Sequence, residues 1–112
     1  MKKTLTFLAI AMSFSINAQI ATTGTNPSGP ASSAMGYFTS ATGYISTAIG
    51  RETTASGDYS TAMGRNTTAS DYSSTVIGQY NSSGSSVTDN ATSFSTSNTA
   101  FVIGNGADSS NK

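Results

Sequence analysis

Four pentapeptides set the frame of this chain: SSAMG at residues 32–36, STAIG at 46–50, STAMG at 60–64 and STVIG at 74–78. Their closing glycines, Gly36, Gly50, Gly64 and Gly78, stand 14 residues apart each time, without slippage. Other columns keep the same step. Thr25, Thr39, Thr53 and Thr67 form one, Ala41, Ala55 and Ala69 a second, and Gly29, Gly43 and Gly57 a third that continues as Asp71. Fourteen residues are too few for a repeat of paired helices but enough for two short strands and two turns.

The residue order within a repeat assigns those strands. In STAIG, alternation puts Ser46, Ala48 and Gly50 on one face and Thr47 and Ile49 on the other, small residues against bulkier ones. TTAS at residues 53–56 supplies the second strand. Gly57 with Asp58 marks one turn, and Gly64, Arg65 and Asn66 mark the other. The Gly29, Gly43, Gly57 column predicts a left-handed backbone, which Asp71 also tolerates.

Coils of this length stack as a parallel β-solenoid, each pairing with its neighbours at about 4.8 Å. The small face, including Ala48 and Ala62, suits a narrow interior. Met35, Ile49, Met63 and Ile77 then form an outward row that needs burial elsewhere. Burying one such side chain contributes roughly 1.5–3 kcal/mol, against about 1–2 kcal/mol of backbone entropy for every residue ordered. One or two large apolar residues per coil do not close that gap, so the row is expected to be shared between chains as the core of an assembly.

Composition narrows the function. Charged residues make up 9% of the 112 residues, and His, Cys and Trp are absent. The usual general base, thiol nucleophile and soft metal ligands are therefore missing. No serine sits in a nucleophile elbow either, and the expectation is a protein that is not an enzyme and uses no cofactor. Residues 1–18 have the make-up of a secretory signal peptide: Lys2 and Lys3, the apolar run LTFLAIAMSFSI, and a small-residue exit at Ala18. Removing two of the five Lys and Arg leaves three against five Asp and Glu, a formal charge of about −2. Nucleic acid, which binds a basic patch, is excluded as a partner.

The S-x-A-x-G strand at a period of fourteen, with A-S-G before it, resembles the head repeat of YadA-like trimeric autotransporter adhesins. The match covers about residues 23–78, and TAFVIG at 99–104 resembles one further inner strand. The resemblance implies an all-β, left-handed parallel β-roll of about 14-residue coils, three chains wound about one axis, and Ser46, Ala48, Ile49, Gly50 and their counterparts in the inner strands. It also implies display at a cell surface and attachment to matrix, cells or glycans. Thr47, Thr61 and Thr75 stand where the family often has Val. This sequence contains no heptad stalk and no membrane-barrel strands, so the expectation is either a piece of a longer adhesin anchored at the outer membrane or a chain exported without an anchor of its own. The alternative within the same fold is a structural segment of an extracellular fibre.

The expected division is a signal peptide at 1–18, a flexible segment at 19–28, head repeats at 29–78, an irregular loop or insertion at 79–98, and a final inner strand within 99–112. Tyr37, Tyr44, Tyr59, Tyr72 and Tyr80 fall near turns, as ligand contacts or as covers for small-residue strands. The acidic residues Glu52, Asp58, Asp71, Asp89 and Asp108 share no column, so no repeating calcium site is expected.

Overall fold

The computed structural model describes residues 23–81 and 90–110; the signal-peptide assignment at 1–18 lies outside them. In chain order the strands are β1 (Asn26–Pro27), β2 (Ser33–Tyr37), β3 (Ser40–Ala41), β4 (Thr47–Arg51), β5 (Thr54–Ala55), β6 (Thr61–Arg65), β7 (Thr68–Ala69), β8 (Thr75–Gln79) and β9 (Phe101–Asn105). The long strands stack as one parallel sheet, β2-β4-β6-β8-β9, and the short ones as a second, β1-β3-β5-β7. The chain is thus a parallel β-solenoid with two strands to each 14-residue coil. Repeat columns become ladders: Ala48 pairs with Ala62, Ile49 with Met63 and Gly50 with Gly64. The longer step from Gly78 to Gly104 ends in the same register.

The roll starts earlier than the boundary expected at residue 29. Asn26–Pro27 already pairs with Ser40–Ala41, and Thr23 bridges to Tyr37. Gln79, assigned to the irregular stretch, closes β8 instead. Residues 90–98 contain no strand.

The interior is filled by the smallest side chains. Ala41, Ala48, Ala55, Ala62, Ala69 and Val76 are completely buried and form one cluster between the two sheets. Thr39, Thr53 and Thr67 complete it from the corner before each short strand. The hydroxyls of Ser46 and Ser74 donate to the carbonyls of Gly43 and Asp71. Those of Thr39, Thr53 and Thr67 have no hydrogen-bond partner.

Two corners turn each coil, and both use left-handed residues that are not glycine. Ala31, Ile45, Tyr59 and Ser73 occupy one corner column; Phe38, Glu52, Asn66 and Tyr80 occupy the other, with φ between +43° and +59°. Such a backbone is uncommon for any side chain and a clear outlier for β-branched Ile45. Bonds to the preceding coil hold it. Ile45 N–H donates to Pro30 O at 2.9 Å, Tyr59 N–H to Tyr44 O at 2.7 Å and Glu52 N–H to Tyr37 O at 2.7 Å.

The glycine column at 43 and 57 therefore has a different cause from the left-handed turn expected of it. Neither residue has a positive φ. A Cβ on Gly43 would strike the carbonyl of Gly57, and one on Gly57 the carbonyl of Asp71. Backbone crowding between stacked coils selects glycine there. At Asp71 the column meets a different neighbour, and its carboxylate accepts from Thr99 N–H at 2.7 Å.

The short-strand sheet ends on a side chain. Asn81 occupies the position after Thr53 and Thr67 in its column, and its amide reaches back to β7. Thr68 N–H donates to Asn81 Oδ1 at 2.7 Å, and Asn81 Nδ2 donates to Thr68 O at 3.1 Å. One amide thus satisfies both backbone groups that a further strand would have paired, and leaves no open edge at that residue.

Two outcomes test this packing. Gly50→Ala sets a Cβ against the Gly64 carbonyl at φ +127°, so denaturant unfolding should show a loss of more than about 3 kcal/mol. Thr53→Val removes a buried hydroxyl without a partner and keeps the shape of the side chain. It should raise stability by about 1 kcal/mol, and a loss would show that the hydroxyl is bonded.

Candidate functional site

The long-strand sheet has two faces of different character. Its inward face carries Ala48, Ala62 and Val76, all fully buried. On its outward face Met35 pairs with Ile49, Ile49 with Met63, Met63 with Ile77, and Ile77 with Ile103. Met35, Ile49 and Ile77 are half-buried, while Met63 is 38% and Ile103 67% exposed. The row expected from the sequence is thus brought together as one in-register ladder, and none of its members is covered. Gly36, Gly50, Gly64 and Gly78 follow it, each with φ above +100° and each stacked on the next.

Sequence reasoning placed four residues in this row and left out its C-terminal end. Ile103 continues it, and Phe101 stands in the register of Thr75. The signal was present in TAFVIG, where the offsets from Gly104 repeat those from Gly78.

The tyrosines separate into two groups. Tyr44, Tyr59 and Tyr72 line one corner edge to face, with ring centroids 5.4 and 5.3 Å apart. Partial desolvation there, followed by the neighbouring Tyr44 and Tyr72 hydroxyls, pushes the Tyr59 phenol above its ordinary value. At the other corner Arg51 lies over the ring of Tyr37 at 5.7 Å and Arg65 over that of Tyr80 at 5.2 Å. Such contacts contribute about 0.5–1 kcal/mol at exposed sites.

The described aspartates serve the backbone. Asp58 Oδ1 accepts from Tyr44 N–H at 2.8 Å, and Asp108 Oδ1 from Ser110 N–H at 2.8 Å. Among the described residues no group of three or more His, Cys, Asp or Glu could hold a metal ion. Asp89 lies outside the described residues.

The stretch expected as a loop is tied to the coils where it is described. Asp58 N–H donates to Ala91 O at 2.7 Å and Tyr72 N–H to Asn90 O at 3.0 Å. Phe94 is 76% exposed on it.

Glu52 gives the corner a pH signature. Asn66 Nδ2 donates to Glu52 Oε2 at 2.8 Å, one coil away, and Arg51 Nη2 donates to Oε1 at 3.3 Å. The Asn66 bond above all, aided by the Arg51 charge and opposed by desolvation, holds this carboxyl below its ordinary value. A lowered folded-state value means that the contribution is whole above the ordinary carboxylate range and is lost as pH falls through the folded value. Carbon-13 NMR should find Glu52 titrating below an unperturbed glutamate, and Asn66→Ala should move it back up. An unmoved titration would discount the bond.

Comparison with known proteins agrees with this architecture. No curated protein and no solved structure matches the chain. Residues 28–53 and 55–81 each match the family model of the YadA head domain repeat, as two consecutive copies. The boundaries fall within the stacked coils, and the matched residues include the glycine ladder and the Met35, Ile49, Met63, Ile77 row. Through these coils, a little under half of the chain, it is similar to the YadA head domain repeat.

Proposed function

We propose that this chain is the head of a homotrimeric surface adhesin: it is exported, three copies pack their long-strand sheets around a common axis, and the outer corners contact matrix protein, cell-surface protein or glycan. One observation supports this reading above the others. The Met35, Ile49, Met63, Ile77 ladder runs unbroken along one face of a solenoid whose interior is filled mainly by Ala, Ser and Thr, with Val76 the largest fully buried side chain. Family heads of this repeat form trimers, which supports two further copies as the partners of that face. The proposed role is non-enzymatic.

Adhesion and assembly are tested separately. Ile49→Asp places three carboxylates near one axis, and desolvating even one unpaired carboxylate costs several kcal/mol. A small domain has about 5–15 kcal/mol of stability in all. Sedimentation should show dissociation near neutral pH and partial recovery in acid, because protonation removes the buried charge. Thr54→Asp, on the short-strand sheet, should change little. Unchanged mass and melting temperature for Ile49→Asp would remove the shared row. For adhesion, the folded assembly should bind immobilised matrix protein, cells or glycan saturably. If it binds none of them, the coils serve as a structural segment of an extracellular fibre.

A further inference from the structure

The outward face does not end as it begins. In β4, β6 and β8 the column before the Met/Ile row holds Thr47, Thr61 and Thr75, short and half-polar side chains. In β9 that register is taken by Phe101, paired with Thr75, and Ile103 stands beside it as the partner of Ile77. Phe101 is 58% and Ile103 67% exposed, both well above the 38% of Met63. Two large apolar side chains at i and i+2 of one strand lie on the same face.

We infer that β9 is the apolar clamp of self-association, the rung at which copies of this chain hold one another most strongly. This rests on the homotrimer reading and adds where along the axis its strength lies. The occupant of the face is a further copy of the chain, for two reasons. The face is a ladder with the β-strand spacing of about 4.8 Å, and a copy in register presents the same rise, so like rungs meet at every level. The Met/Ile column and the Thr/Phe column beside it carry no ionisable side chain, so these two columns can be covered without desolvating a charge, while Arg51 and Arg65 stand two residues on, over the rings of Tyr37 and Tyr80.

The unequal strength follows from what each rung presents. β9 offers the face two large apolar side chains, Phe101 and Ile103, where β4, β6 and β8 each offer one beside a threonine, so it has more apolar surface to bury there. Methionine also loses more rotamer freedom on burial than isoleucine. Three copies would bring three phenyl rings together at this rung, where edge-to-face contact adds to burial.

The test uses the full chain expressed with its own N-terminus, followed by sedimentation over a wide concentration range. Phe101→Thr with Ile103→Thr should raise the concentration of half-dissociation by about 100-fold or more, whereas Met63→Thr should raise it by at most about tenfold. Both side chains point away from the interior, so the β-sheet circular dichroism of the coils should persist. If Met63→Thr costs as much as the β9 pair, the clamp is overturned and the shared row stands. A wild-type chain that is monomeric throughout overturns the trimer reading and the clamp with it. Should the double variant fail to fold, Phe101→Leu decides: a rise of about three- to tenfold supports the clamp, and no change refutes it.

Discussion

The amide of a left-handed corner residue points at a carbonyl one coil back, and the rest of the roll depends on that bond. Left-handed backbone costs roughly 1–2 kcal/mol at each residue that is not glycine. The described coils place eight such residues at their corners. Nothing within a single coil offsets that cost, since the compensating acceptors, such as Pro30 O for Ile45 and Tyr37 O for Glu52, belong to the coil before. Stability therefore resides between coils. Each coil is a nearest-neighbour element, stable only in a stack.

Strain at the corners and smallness inside are linked. A coil that closes in fourteen residues leaves room between its sheets for Ala41, Ala48 and Ala55 and almost nothing larger, Val76 marking the upper limit. The interior cannot bury enough apolar surface to stabilise the fold by itself, so the larger side chains are displaced outward, onto the far face of the long strands. The Met/Ile ladder is the counterpart of the alanine ladder.

Much of this was legible in the sequence because the period reports geometry directly. The strict fourteen located both strands of each coil, and alternation in STAIG assigned Ala48 inward and Ile49 outward. The corners were not legible. Ile45, Tyr59 and Glu52 are poor left-handed residues by type, and only the backbone bonds of the neighbouring coil make the conformation tenable, which no single repeat discloses. The Gly43 and Gly57 column pointed to the right turn for the wrong reason, since a crowded carbonyl and a positive φ select the same residue. Asn81 was hidden differently: it breaks the Thr column by one residue type, and only its place beside Thr68 shows a side chain standing in for a strand. TAFVIG was legible as a further inner strand, but Phe101 takes the register held by threonine in the coils before it, so its place on the outward face shows only once β9 is paired with β8.

The left-handed corners fall at residues 31, 38, 45, 52, 59, 66, 73 and 80, an even beat of seven. Each coil is thus two half-turns of equal length that differ only in how much of each is strand. A chain built this way measures itself with a coarse ruler. Adding or losing seven residues would leave the corner rhythm intact yet exchange the two sheets beyond the change, sending every Met and Ile of the later rungs to the opposite side. Where corner follows corner without an excursion such as the one before β9, whole multiples of fourteen keep the cross-section constant, so such a stretch can vary its reach in steps of one strand spacing while its side surfaces stay the same.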